Sequence, residues 1–218
     1  MDDLLAAYAI GYFPMARERD AKDVVWVLPK DRGVLVLAET HGPKKLMRFL
    51  RRAPFDVRVD TAFRTVMEEC AEPYPGREET WICDPILDAY TELHEMGIAH
   101  SVECWREGRL VGGLYGLTVG GVFCGESMFS RVTNASKVAF LHLCARLKYG
   151  GYMLLDAQFH TDHLAQFGVR EWPNAQYQDV LRSLIGKQTD FYGADRVLDG
   201  ASAEAVATWV SQSITQTS

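Results

Sequence analysis

The sequence predicts a mixed α/β fold, on three observations. Gly120-Gly121 joins two runs rich in Val, Leu, Tyr and Phe, the sequence form of a tight antiparallel hairpin. After Ser130 the second run gives way to RVTNASKVAFLHLCARLKYGG, where Asn134 stands at the N-cap position, the following turns are mostly apolar and Gly150-Gly151 supplies the stop. A third apolar run, YMLLDAQ, comes next, and a strand, helix, strand order implies a right-handed crossover and parallel pairing.

Chemistry is expected where the two parallel strands end. With a side-chain period of two, Val122, Cys124, Glu126 and Met128 share one face, and Phe123, Gly125, Ser127 and Phe129 the other. Two readings of Glu126 are open: a residue on a wet face, or an acid awaiting a cation. Asp156 and Gln158, two apart, fall on one face near the same sheet edge as Glu126.

Taken in order, DDLLAAYAIG forms a short amphipathic helix with a glycine stop, and Val24 to Pro29 and GVLVLAE are strands. PKKLMRFLRRAP is a helix between two prolines, with Lys44, Lys45, Arg48, Arg51 and Arg52 on roughly one face. That face is either a solvated surface or a phosphate-binding patch. DVRVD is a strand, AFRTVMEECAE a helix, PYPGREE a loop, and TWICDPILDAYTELHEMG a helix stopped at Gly97. A soft boundary near residue 57 separates a small N-terminal α+β domain (1–57) carrying the basic helix from a larger domain (58–218). HSVECWREGRLVGGLYGL turns at Glu107-Gly108 and extends the hairpin into a meander, and Gly112, Gly113 and Gly116 mark its second strand as distorted. FHTDHLAQFG and PNAQYQDVLRSLIG are further helices, and the tail from Asp190 has weak periodicity with a polar end that should fray.

With 218 residues, 48% of them hydrophobic, the chain can build a substantial core, and a net charge of -6 confines any nucleic-acid contact to a local basic patch. Five cysteines without a C-x-x-C pair fit reduced thiols and a cytoplasmic protein. The N-terminus is acidic where a signal peptide is basic, and no apolar run reaches the roughly 20 residues of a membrane span. No nucleophile elbow, Walker loop, dinucleotide fingerprint or zinc pattern occurs, so the chemistry expected is metal-free. His160 and His163, spaced i, i+3, lack a third ligand.

The strand order fits the acetyltransferase (GNAT) type of α/β architecture. An acyl-CoA enzyme of that type shows a glycine-rich turn before its central helix, and here that turn is SRVTNASK, without glycine.

TWI at residues 80–82, AYTELHEMGIAHSVECW at 89–105, LVGGLYG, FCGESMFSRVTNASK, the DAQ at 156–158 and GYFPM near the start occur together. In this order, over roughly residues 8–168, they resemble the leucyl/phenylalanyl-tRNA-protein transferase family. The resemblance implies a two-domain enzyme whose larger domain is acetyltransferase-like and which moves Leu or Phe from aminoacyl-tRNA to proteins beginning with Arg or Lys, marking them for degradation. It implies no cofactor and no metal; no membrane partner is expected, and a monomer is expected. Gln158 would contact the acceptor amine while Asp156 polarises it, unless a tRNA hydroxyl carries the proton. Leu114, Phe123 and Leu155 would line the donor side-chain pocket, with Trp81 and Tyr90 holding the aminoacyl-adenosine end. Glu126 would read the acceptor's basic side chain and the basic helix would bind tRNA phosphates. Core packing remains open for each of the apolar and aromatic residues.

Strand alternation puts Phe123 and Leu155 opposite the acids, so a pocket holding both sets needs a bulge or splayed strands. The family's central Cys of D-C-Q is here Ala157, a Trp of some members is Met15, and a Ser/Pro-Arg-Arg run is replaced near residues 171–176. Two other classes stay in view: an acyl-CoA-dependent N-acyltransferase, and a non-catalytic module binding tRNA or protein N-termini.

Overall fold

The strand, helix, strand unit forms where the spacing puts it. In the computed structural model, which describes residues 2–73 and 79–215, β7 (Val122–Ser130) leads through α5 (Ala135–Tyr149) to β8 (Leu154–Gln158). β7 and β8 pair in parallel over Val122↔Leu154, Phe123↔Leu155 and Cys124↔Asp156. Beyond that point β7 continues against β6 (Arg109–Val119), while β8 continues against β3 (Asp31–Val36). The two parallel strands therefore part just before Glu126.

The remaining elements are, in chain order, α1 (Asp2–Ala9), β1 (Phe13–Met15), β2 (Val25–Val27), α2 (Lys44–Leu50), β4 (Asp56–Val59), α3 (Phe63–Ala71), α4 (Asp84–Glu95) and β5 (Ala99–Arg106). After β8 come α6 (Asp162–Ala165), β9 (Arg170–Pro173), α7 (Asn174–Leu184), α8 (Gly193–Leu198) and α9 (Ala203–Thr215). A seven-stranded sheet has the order β4-β5-β6-β7-β8-β3-β9 and is antiparallel except at β7/β8, while β1 and β2 form a separate two-stranded ribbon.

Period-two alternation sends successive residues into two cores. Val34, Tyr115, Val122, Cys124 and Leu154 join α1, α3, α4 and α7, and Leu35, Leu114, Phe123 and Leu155 join α2, α5 and α9 on the other face. α5 lies between the sheet and the C-terminal helices, which is why it is apolar nearly all round.

Three expectations are corrected. A boundary at residue 57 would cut β3 and α2 from the structure they belong to: β3 is hydrogen-bonded between β8 and β9, and Leu46, Met47 and Leu50 of α2 are buried in the α5 core. Asn134 does occupy the N-cap of α5, but its backbone is left-handed (φ 69°) and its side chain makes no capping bond. The tail from Asp190 folds into α8 and α9, because Val206, Val210 and Ile214 recur every fourth residue and the last two pack on the core. Most of the PYPGREE loop and the polar end expected to fray lie outside the described residues.

Candidate functional site

The site begins with one residue too many in β7. Tyr115 pairs with Ser127 and Gly116 with Gly125, so Glu126 has no partner across the ladder: it is a β-bulge. Gly116 makes room for it, since a Cβ there would stand 2.2 Å from the Cys124 carbonyl oxygen. Both devices that could bring the two opposed faces together, a bulge in β7 and a splay of β7 from β8, are present.

Glu126 is buried, and its two oxygens are treated differently. Oε1 accepts hydrogen bonds from the Tyr8 hydroxyl at 2.7 Å and from Gln158 Nε2 at 2.9 Å, whereas Oε2 has no hydrogen-bond partner among the described residues. Burial pushes the carboxyl up to about 7; the Tyr8 hydrogen bond opposes this and the charge of Asp156 adds to it. The Tyr8 hydroxyl also shares a short hydrogen bond with Tyr90, and both phenols are held well above 10 by burial, so they stay protonated.

Gln158 is aimed by a second irregularity. Gly33 pairs with Gln158 and Val34 with Asp156, leaving Ala157 unopposed, and Gln158 itself is left-handed (φ 57°). The turn presses on β3: a Cβ on Gly33 would lie 2.6 Å from the Phe159 carbonyl carbon, so only glycine fits there.

Asp156 is wholly buried behind Gln158. Arg32 grips it with Nε at 2.8 Å from Oδ1 and Nη2 at 2.5 Å from Oδ2; the Tyr177 hydroxyl donates to Oδ2 at 2.8 Å and the Gln158 backbone N–H to Oδ1 at 2.8 Å. Arg32 also donates to the Gly11 carbonyl at 2.8 Å and lies over the rings of Phe13 and Tyr177. Although burial works against its charge, the attraction of Asp156 raises the guanidinium pKa above its ordinary value.

Two cavities meet at Glu126. The larger, about 320 Å³, runs between the splayed strands, with Leu114, Met128, Phe140, Leu143 and Leu155 as apolar walls. The smaller, about 200 Å³, is walled by Phe13, Met15, Trp81, Gln158 and Phe159. Glu126, Ala157, Thr161 and Leu164 line both.

Of the residues singled out in the sequence, Glu126, Gln158, Leu114, Leu155 and Trp81 stand at these cavities. Asp156 does not; its link to Gln158 is through the backbone. Tyr90 is fully buried with only its hydroxyl in the Glu126 network, and its ring packs edge-on against Tyr115. Phe123 is fully buried on the α5 side, stacked on Phe191 with 6.0 Å between ring centroids, and lines neither cavity. Lys44, Lys45, Arg48, Arg51 and Arg52 are all exposed on α2 and just after it, and among the described residues none of the five forms an ion pair. Lys44, Arg48 and Arg51 line a groove against Thr215 of α9, where Arg51 Nε also donates to Ser211 Oγ at 3.1 Å. Sequence reasoning missed Tyr8, Arg32 and Tyr177. The one available signal was Arg32 itself, a charge opening the strongly apolar run GVLVL.

Known proteins resemble this chain along nearly its whole length. Residues 34–182 match the family model described as Leucyl/phenylalanyl-tRNA protein transferase, and residues 1–30 match that of its N-terminal domain. A protein of Paramagnetospirillum magneticum named leucyl/phenylalanyl-tRNA--protein transferase is 54% identical over 190 residues, 87% of this chain and 91% of its own. One of the same name from Phenylobacterium zucineum is 51% identical over 216 residues, 99% of this chain and 97% of its own, and one from Caulobacter vibrioides is 54% identical over 193 residues, 88% and 89%. The solved structure of L-PGS from Bacillus licheniformis aligns with a TM-score of 0.40 and 14% identity over 84% of this chain and 62% of that one, too little to assign a fold from. Glu126, Gln158, Leu114 and Leu155 all fall inside the 34–182 match, as do β7 and β8, whose bulge and splay bring them together. By sequence over most of its length, this chain belongs to the leucyl/phenylalanyl-tRNA protein transferase family.

Proposed function

We propose that this protein moves Leu or Phe from aminoacyl-tRNA to the N-terminal amine of proteins beginning with Arg or Lys, acting as a monomer. The observation that carries this reading is the meeting of an apolar cavity with an aromatic one at a buried carboxyl, one oxygen of which has no hydrogen-bond partner among the described residues. The larger cavity suits a branched or aromatic side chain, which burial alone holds. The smaller suits a basic first residue: its aliphatic stem lies along Phe13, Met15 and Trp81 and its cation reaches Glu126 Oε2, which burial makes costly to ionise until a cation arrives. The larger unit, with its parted parallel strands beside α5, is read as acetyltransferase-like.

Because the aminoacyl ester is already activated, the protein mainly has to align an amine with its carbonyl. Gln158 Nε2 is committed to Glu126, which leaves Gln158 Oε1 to accept a hydrogen bond from the acceptor amine. The amine nitrogen attacks the ester carbon, a C–N bond forms, the C–O bond to the terminal ribose breaks, and the proton leaving nitrogen ends on the ribose oxygen. The free cations of α2 bind tRNA phosphates away from this chemistry. The test is to incubate the protein with labelled Leu-tRNA, Phe-tRNA or acetyl-CoA and an Arg-initiated peptide. Transfer of Leu or Phe to the peptide is expected. Consumption of acetyl-CoA, or binding of aminoacyl-tRNA without a product, would overturn the reading.

A further inference from the structure

Asp156 is the one carboxylate near the cavities with no capacity to spare. Its two oxygens receive two bonds from Arg32, one from Tyr177 and one from the Gln158 backbone, and neither cavity reaches it. Arg32 is as completely buried as its partner and is itself fixed by the Gly11 carbonyl and by the rings of Phe13 and Tyr177 on either element. Gly11 precedes β1 and Phe13 opens it, Arg32 is on β3, Asp156 on β8 and Tyr177 on α7, so one ion pair ties four separate segments together beneath the turn that carries Gln158.

We infer that Arg32 is a positioning residue for the transfer reaction, clamping Asp156 so that its carboxylate serves as the backbone anchor of Gln158 and never meets the substrate amine. This rests on the transfer reaction proposed above. The left-handed backbone of Gln158 is held from two sides: by the Asp156 Oδ1 bond to its N–H, and by Gly33, one residue from Arg32 on the same strand. The Gln158 side chain then falls on Glu126 Oε1 with its own oxygen turned free. Arg32 therefore acts on the reaction through geometry two residues away from the chemistry. It is not interchangeable with Lys, because the contacts to Asp156 Oδ1, Oδ2 and the Gly11 carbonyl use three different nitrogens of one planar group.

The experiment compares single-turnover transfer by the wild type, Asp156→Asn, Arg32→Gln and the double variant Arg32→Gln/Asp156→Asn, with circular dichroism to check folding. Each single change leaves a buried charge without its partner, and the double change removes both charges while keeping hydrogen-bonding groups in place. Each single variant is expected to lose about 10²-fold or more in rate, and the double to recover to within about tenfold of wild type. A double variant as slow as Asp156→Asn would overturn the clamp, because it would mean that the negative charge acts on the reacting amine directly. Arg32→Lys, which keeps both charges, decides the matter independently of whether the double variant folds. The clamp requires kcat to fall at least about tenfold with acceptor KM changed less than about twofold, since the cavity walls are untouched. Wild-type kcat in that variant would overturn it. A wild type that transfers neither Leu nor Phe overturns the transfer reading and the clamp's catalytic role together, while an active wild type with no rescue overturns the clamp alone.

Discussion

Glu126 shows how much a single extra residue can change. Counted along the strand it shares a face with Cys124, and the sequence leaves open whether that face is wet; the bulge and the phenol of Tyr8 settle it as buried. Its pH dependence has a definite sign. With a folded pKa of about 7 against an ordinary 4.5, the protonated form is favoured in the native state, so this stabilisation is complete below pH 4.5 and is lost as pH rises through 7. The difference amounts to roughly 3 kcal/mol. Glu126→Gln is therefore expected to melt above the wild type at pH 8, with the gap closing toward pH 4.5; thermal unfolding across that range checks it, and parallel curves would show an ordinary carboxylate. In transfer assays the same variant should chiefly raise KM for an Arg-initiated peptide, with a smaller effect on the uptake of donor. The carboxyl and Gln158 were legible because alternation and spacing are local properties, while the leucines were named only through the family resemblance. Tyr8, Arg32 and Tyr177 were not: their partners lie 118, 124 and 21 positions away, and nothing in a single chain of letters links them.

At the scale of elements, irregularity and charge do separate jobs. The turn at Gln158 depends on the absence of a side chain from β3, so Gly33→Ala must shift the Phe159 backbone, an approach real Cβ atoms do not tolerate. Transfer is expected to fall about tenfold or more, with destabilisation of about 1–3 kcal/mol; unchanged single-turnover rates would show that the turn has slack. On the proposed reading α2 acts through charge: its apolar side is buried in the α5 core, and among the described residues its exposed cations form no ion pair. Arg51→Ala/Arg52→Ala should weaken aminoacyl-tRNA binding and flatten its salt dependence by about two in the log–log slope, while turnover of a short aminoacyl-adenosine donor hardly changes. Equal losses with both donors would mean that the helix matters for folding instead. Strands β2 to β8, α5 and the basic helix were readable because each carries its own period and stop, whereas β1 and β9, three and four residues long and each holding a proline, were not read as strands. α9 was harder, since its apolar stripe is thin and gains meaning only against α5.

Over the whole molecule, chain order and spatial order part company. A division drawn at residue 57 follows composition, yet the sheet places β3 between β8 and β9, closing an early strand onto two late ones. Such a pairing is invisible to any window along the sequence. Residues 58–218 expressed alone would leave β8 with an unpaired edge and Asp156 without Arg32, so the fragment is expected to lack cooperative thermal unfolding and to aggregate; a sharp transition would show that this part folds without β3. The described helices include none long and apolar enough to cross a membrane.

That Glu126 walls both cavities has an energetic consequence. If the acceptor's basic residue docks there as proposed, it favours the charged carboxylate, so at neutral pH docking would expel part of a proton and the heat of binding should change with the ionisation enthalpy of the buffer. On the same reading, the donor side chain would pack against that carboxyl from the larger cavity. Whatever charge the first substrate leaves on Glu126, the second must meet it, and the two affinities are bound to change by the same factor in whichever order they are measured.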